Sequence, residues 1–299
     1  MYRGRHIRRR RLWVVVTWAL IILAAGLLLA PFVEPYRLET EKIRLTSADL
    51  PTWLEESESA DTHSLRVVFV SDIHQGGWPY YTAGRVQGLV SEINKQKADL
   101  VLLGGDYASS PSETIAFFRA LPAIKANIGV YAVLGEADRP EDAQGLSELR
   151  DVMKSKGITL LVNEVASVPY GMGRVKVAGL DEPQRGEVAI SRVAGQVSAS
   201  DYVILLAHNP SLIDDANRLG AQDWYDLGFF GHTHGNQFFG NFNPLGIATD
   251  VTSSSYRKGW VEGSRNPTLI SRGVGTKGLP VRLGCAPQLH VIDISRSGS

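Results

Sequence analysis

Three observations predict an α/β fold built on a mostly parallel sheet. From Leu65 to the C-terminus, strand-like apolar runs alternate with helix-like segments. Five of those runs stop at a polar residue able to ligate a cation. They are Leu65 to Val70 before Asp72-Ile-His74, Asp99 to Leu103 before Gly105-Asp106, Val130 to Leu134 before Gly135-Glu136-Ala137-Asp138, Tyr202 to Ala207 before His208, and Asp226-Leu-Gly-Phe-Phe-Gly before His232-Thr-His234. In open α/β sheets ligands collect beyond the carboxyl ends of the strands, so these residues are expected to share one rim. Finally, 299 residues with 44% hydrophobic content can bury one substantial core, which predicts a single domain of catalytic size plus extras.

The first element is set by charge and hydropathy. Arg3, Arg5 and Arg8 to Arg11 precede Leu12 to Val33, twenty-two residues without a charge. At about 1.5 Å per residue such a helix can span a hydrocarbon core of roughly 30 Å. A secretory h-region usually ends by about 15 residues, so an uncleaved anchor is favoured over a removed signal, with twin-arginine export the alternative. The arginines should stay cytoplasmic, which places everything after Pro35 on the other side of the membrane. Residues 34–64 are polar and acidic, with Glu55, Glu56 and Glu58 clustered, and read as a linker between a basic segment (1–11), an anchor (12–33) and a domain over 65–299.

Within the domain, Thr82 can cap a helix whose Val86, Leu89, Val90 and Ile93 fall at helical spacing. Ser110, Pro111 and Glu113 form a capping-box signature for a second helix just after Asp106. Further helices are expected near 141–156, 187–195 and 210–218. Val175 to Leu180, Asn236 to Phe239, Thr268 to Ser271 and Leu289 to Ile294 read as additional strands. The single cysteine, Cys285, excludes an internal disulfide framework and reads as a small buried hydrophobe. Subtracting the six N-terminal arginines from the 31 Lys and Arg leaves 25 against 31 Asp and Glu, a net charge of −6. That balance argues against nucleic acid as a partner, because phosphate-backbone binding needs a basic face.

Asp72, His74, Asp106, His208, His232 and His234 supply what two divalent ions need: a shared carboxylate with flanking imidazoles, so that a bridging hydroxide can attack phosphorus in line. Mixed imidazole and carboxylate ligands suit Mn, Fe or Zn better than Mg. Arg272, in a glycine-rich turn, could hold a phosphate oxygen bidentately or simply be solvated. Asn209 reads as a substrate contact or a helix cap, and Tyr107 as a pocket or packing residue.

In their order along the chain, Asp72-Ile-His74, Gly105-Asp106, Gly135-Glu136-Ala137-Asp138, His208 in Ala-His-Asn-Pro, and Gly231-His232-Thr233-His234 resemble the motifs of the calcineurin-like metallophosphoesterases. The similarity runs from about Leu65 to the C-terminus. Ser271-Arg-Gly-Val-Gly-Thr-Lys-Gly-Leu-Pro280 and the N-terminal anchor resemble the membrane-associated bacterial branch, which includes enzymes acting on UDP-2,3-diacylglucosamine. The resemblance implies a four-layer α/β/β/α sandwich and a two-metal site that hydrolyses phosphodiester or pyrophosphate bonds of a phosphorylated small-molecule or lipid substrate. It implies Asp72, His74 and His234 on the first ion, His208 and His232 on the second, and Asp106 bridging. Asp106, His208 and Arg272 are then the expected catalytic residues.

The chain departs from the family pattern at the third motif, where Glu136 and Ala137 replace the usual Asn and His. Asp72, Asp106, Glu136 and a bridging hydroxide would sum to −4, cancelling two divalent ions and weakening their Lewis acidity. Three outcomes stay open: Glu136 ligates and hydrolysis persists, one ion is retained, or the protein is a catalytically impaired metal-binding scaffold.

Overall fold

The computed structural model of the chain describes residues 3–51, 64–221, 223–237 and 256–296. Helix α1 (Arg3–Val33) and a 3-10 turn (Glu34–Tyr36) lead into strand β1 (Glu39–Ser47). Strands and helices then alternate through β2 (Leu65–Val70), α2 (Ala83–Lys95), β3 (Leu100–Leu103), α3 (Pro111–Ala120), β4 (Gly129–Ala132), α4 (Ala143–Ser155) and β5 (Ile158–Leu160). A hairpin of β6 (Glu164–Tyr170) and β7 (Gly173–Gly179) opens the second half. It continues with α5 (Ile190–Ala194), β8 (Tyr202–Leu206), α6 (Ser211–Arg218), β9 (Leu227–Phe230), β10 (Gly259–Trp260), β11 (Thr268–Ile270) and β12 (Gln288–Arg296).

These strands form two six-stranded sheets, ordered β1-β12-β2-β3-β4-β5 and β10-β11-β9-β8-β7-β6. The two-residue period of a strand explains why the sheets stack between helices. In β2, Leu65, Val67 and Phe69 enter the core between the sheets, while Val68 and Val70 face helices α2 to α4. In β8, Tyr202, Ile204 and Leu206 enter the same inter-sheet core, while Val203 and Leu205 pack with Ile190, Val193, Leu212 and Ile213 of α5 and α6. Strands buried on both faces read as continuous apolar runs, as observed at Leu65–Val70 and Tyr202–Leu206. Three apolar layers thus separate four structural layers, and the α/β/β/α expectation is met.

Helix α1 supplies most of the apolar stretch Arg11–Tyr36, whose 18-residue apolar window has a mean hydropathy of 2.6 and no buried residue. Among the described residues it is the one helix long and apolar enough to cross a membrane.

Several local expectations are corrected. Glu39–Ser47 falls within the expected linker yet runs parallel to β12 in full register, Ile43 opposite Ile292 and Leu45 opposite Ile294. Its alternation puts Ile43 and Leu45 against the inter-sheet core while the charged residues between them face water, a strand signal that the acidic composition masked. At α3 the Ser110 hydroxyl accepts from the Glu113 N–H, but the Glu113 carboxylate reaches the Ser109 amide and not that of Ser110. Thr82 precedes α2 without a side-chain cap bond. Asn236 ends a 3-10 turn (His234–Asn236) instead of opening a strand, and residues 238–239 of that expected strand lie outside the described residues.

If β1 is an integral edge strand, Ile43→Ala should lower the stability of the full chain by about 1–2 kcal/mol, less than the value for a fully buried isoleucine. Chemical unfolding in detergent would show this as a lower midpoint, and an unchanged midpoint would mean that β1 is a detachable arm.

Candidate metal centre

Each motif residue sits on the first residues past a strand, and the C-terminal edges of β2, β3 and β4 from one sheet meet those of β8 and β9 from the other. To bring these side chains inward the backbone turns sharply. Asp72, His74, Asp106, His232 and His234 have φ of 56°, 44°, 56°, 70° and 50°, a left-handed conformation that costs a non-glycine residue roughly 1–3 kcal/mol. Such strain persists only where surrounding bonds over-determine it. Here the Asp72 N–H donates to Gly105 O at 2.9 Å, the His74 N–H to Asp106 O at 2.9 Å, and the Gly231 N–H to His208 O at 2.9 Å.

The motif glycines answer a need for space. A Cβ on Gly231 would lie 2.7 Å from both Asp72 Oδ2 and Ser71 Oγ, and one on Gly135 would collide with the Asp106 carboxylate. Only glycine lets these backbones approach the carboxylates so closely.

Seven side chains converge. One group holds Asp72, His74 and His234, with His74 Nε2 3.0 Å from His234 Nε2 and His234 Nε2 3.6 Å from Asp72 Oδ1. A second holds Glu136, His208 and His232, with Glu136 Oε2 3.0 Å from His208 Nε2 and 3.1 Å from His232 Nδ1. Asp106 Oδ2 links them, 3.3 Å from His74 Nε2 and 3.6 Å from His208 Nε2. Asp106 Oδ2 and His208 Nε2 are both buried and neither makes a hydrogen bond. A buried polar atom left unmatched costs about 1–3 kcal/mol, so this pair calls for a further partner between them. Imidazole nitrogens and carboxylate oxygens aimed at common points fit a divalent cation.

The supporting contacts fix these donors. His208 Nδ1 faces Gly104 O at 2.7 Å, and donating to that carbonyl leaves Nε2 as the free acceptor. The two Asp72 oxygens accept the His232 N–H at 2.9 and 3.2 Å, and Ser71 Oγ donates to Oδ2 at 2.5 Å. Asp106 Oδ1 accepts the Ala137 N–H at 3.0 Å, leaving Oδ2 for the centre. Asp138 does not reach the centre: it accepts from the N–H groups of Asp106, Gly135 and Tyr107 at 2.6, 2.9 and 3.0 Å and from Thr114 Oγ1 at 2.7 Å. Burial and the adjacent Asp106 charge push the Asp138 carboxyl up to about 7, and the Gly135, Thr114 and Tyr107 donors work against that rise.

The electrostatics divide the imidazoles. Burial, then His74 and Arg282, hold His234 well below its ordinary value, so it is neutral and able to ligate. For His208, burial is outweighed by Asp106 and Glu136, which raise it well above the ordinary histidine value. Burial opposes ionisation of Asp106 and Glu136 too, but the facing histidines hold both carboxylates well below their usual range. A cation in the centre would therefore displace protons from His208 and meet carboxylates already ionised.

Two cations differ from expectation. Arg272 lies outside the cleft: its guanidinium pairs with Glu39 at 2.8 Å, because the turn carries it toward β1. Lys277, five residues further along the same glycine-rich loop, enters the site and pairs with Glu136. Burial opposes its charge, but Glu136 outweighs this and raises the Lys277 ammonium above its ordinary value. Sequence reasoning missed Lys277, since a lysine between glycines carries no sign of which way its loop faces. A cleft of about 560 Å³ opens over the centre, lined by His74, Asp106, Glu136, Ala137, Arg185 and Lys277. Tyr107 is a packing residue whose hydroxyl donates to Leu103 O and Val133 O, and Asn209 accepts the Ser211 N–H at 2.9 Å, as a cap does.

Comparison with known proteins agrees with this geometry. YpbG of Bacillus subtilis (strain 168) is 27% identical over 235 residues, 77% of this chain and 81% of its own length. The metallophosphoesterase YkuE of the same organism is 24% identical over 273 residues, 89% of this chain and 88% of its own. The phosphodiesterase YaeI of Escherichia coli (strain K12) is 25% identical over 231 residues, 77% of this chain and 82% of its own. The profile of the calcineurin-like phosphoesterases matches residues 65–236, a span from the start of β2 to just past His234 that holds every residue of the centre except Lys277. The chain therefore belongs to the calcineurin-like phosphoesterase family, hydrolases of phosphoester bonds that use divalent metals.

Proposed function

We propose that this protein is a membrane-anchored hydrolase of phosphodiester or pyrophosphate bonds in lipid-linked or nucleotide-linked substrates. The observation that carries the reading is the pair of ligand groups joined through Asp106 Oδ2. Asp72, His74 and His234 would hold one divalent ion, Glu136, His208 and His232 a second, and Asp106 would contact both, with Mn, Fe or Zn suited to such donors. Bound there, the ions would polarise a phosphoryl oxygen and lower the pKa of water.

The protein's own groups do the rest. Asp106 and His208 are held in orientation by the Ala137 N–H and the Gly104 carbonyl. Glu136 adds a negative charge that would blunt two cations, and the Lys277 ammonium offsets it. Lys277 and Arg185 line the cleft and present positive charge to a phosphate oxygen there. The arginine cluster at the start of α1 supports an anchor whose basic end is cytoplasmic and whose domain is extracytoplasmic. UDP-linked lipid precursors are cytosolic, so this orientation favours other lipid-linked phosphates. Protease added to spheroplasts should cleave the domain, and cleavage only after lysis would reverse the orientation.

Asp106→Asn should remove both ions and at least 10²-fold of phosphodiester turnover, whereas Glu136→Ala should mainly deplete one ion. Elemental analysis of the purified variants reads this directly. A wild-type protein that retains no metal and fails to bind added Mn or Zn would leave only a scaffold.

Ala137 lines the cleft with a methyl that cannot donate a proton to a departing oxygen. General-acid help of that kind is worth about 10²- to 10⁴-fold and matters most for poor leaving groups. Nucleotide phosphates and aryl esters should therefore be cleaved far faster than simple alkyl esters, with a steep dependence on leaving-group pKa that Ala137→His flattens. A shallow dependence unchanged by the substitution would place proton donation elsewhere.

A further inference from the structure

The cleft and the anchor share one small region of the surface. The last turn of α1 is bonded into the loop that walls the centre: the Arg282 N–H donates to Pro31 O at 2.9 Å, and the Glu34 carboxylate accepts the N–H groups of Gly284 and Cys285 at 2.9 and 2.6 Å. The same loop, four to six residues before Arg282, supplies Thr276, Lys277 and Gly278 to the cleft. The Gly76 to Tyr81 loop, which also lines the cleft, is tied to it by Tyr80, whose hydroxyl donates to Gly278 O at 2.9 Å. That loop is joined to the anchor as well, because the Arg85 guanidinium bonds Pro35 O and lies 4.5 Å from the Tyr36 ring and 4.1 Å from the Tyr81 ring.

On these two loops stand Trp78 and Leu279, 82% and 46% exposed. Neither packs into a described core. An indole and a leucine held in water on two loops that line a polar cleft lose apolar burial unless something covers them. The cover closest along the chain is the bilayer entered by α1, since its end is held by Arg282, Gly284 and Cys285 on the Leu279 loop and by Arg85 at the start of α2, against Tyr81. Tryptophan is the side chain best suited to the headgroup boundary, with an apolar body and a polar N–H.

We propose that Trp78 and Leu279 insert into the headgroup–acyl boundary of the bilayer that α1 crosses, so that the cleft opens onto the membrane surface and takes phosphoesters presented there by an amphiphile. The inference rests on the anchored reading of α1. It adds an orientation of the domain: Arg185 and Lys277 at the level of lipid phosphates, with the far ends of the sheets pointing away into water.

The full chain reconstituted into nanodiscs of phosphatidylcholine and phosphatidylglycerol tests this by spin-label depth. Trp78→Cys and Leu279→Cys are labelled separately, while native Cys285 is buried and stays unreacted. Leu20→Cys reports the middle of α1. Met172→Cys, 59% exposed in the β6–β7 turn at the opposite end of the second sheet, reports water. The ratio of accessibility to oxygen over a nickel chelate should shift from the Met172 value toward the Leu20 value at both rim positions. If Leu20 reads as lipid while both rim positions match Met172, the inference is overturned and the anchor stands. If Leu20 also reads as water, the anchored reading itself fails and the inference with it. The two rim labels are independent, and each position is exposed enough to accept cysteine without disturbing a core.

Discussion

The Asp106 carboxylate, set where the edges of two sheets meet, is the constraint on which the rest of the site depends. One oxygen is tied to the Ala137 N–H, and the other is left buried without a hydrogen bond between His74 and His208. Its backbone is held left-handed by Asp138, which collects the N–H groups of Asp106, Tyr107 and Gly135 on one carboxylate and takes a hydroxyl from α3 through Thr114. Helix packing in the first layer is thereby coupled to the position of the central ligand. Neutral packing could not hold an unsatisfied carboxylate there, because its burial is opposed by desolvation.

Charge balance explains the altered third motif. A glutamate at position 136 would make the centre more negative than the common asparagine does, but Lys277 approaches it from the opposite loop. The pair keeps the carboxylate within reach of His208 and His232 while cancelling much of its field at the cleft. Position 137 keeps its backbone duty to Asp106 even though its side chain has become a methyl. The convergence of Asp106, Glu136, His208 and His232 is therefore complete with a methyl at position 137.

The loop after β11 joins these themes. Arg282 is fully buried and donates to the carbonyls of Arg272, Gly275 and Cys285, which shapes the wall carrying Lys277. Cys285, free and buried, sets its Sγ against the carbonyls of His234 and Gly235, and its own N–H is taken by Glu34 below α1. The end of α1 is therefore only a few bonds from His234.

By itself the sequence determined the α/β class and a set of candidate ligands. Continuous apolar runs demand burial on both faces of a strand, and a polar residue just after such a run lies past the strand's carboxyl end, so Asp72, His74, Asp106, Glu136, His208, His232 and His234 were legible as candidates for one rim. The apolar stretch after the arginines was legible for the same reason, since its composition leaves few places to bury it. Tertiary structure alone decided that the rim is divided between two sheets, that β1 closes an edge within what reads as an acidic linker, and that Lys277 faces the centre while Arg272 pairs with Glu39. The physical reason is that strand and helix periods are local and repeat along the chain. The direction of a side chain on a glycine-rich loop depends on φ and ψ choices that glycine leaves open, and those are settled only when distant carbonyls and carboxylates bond to it.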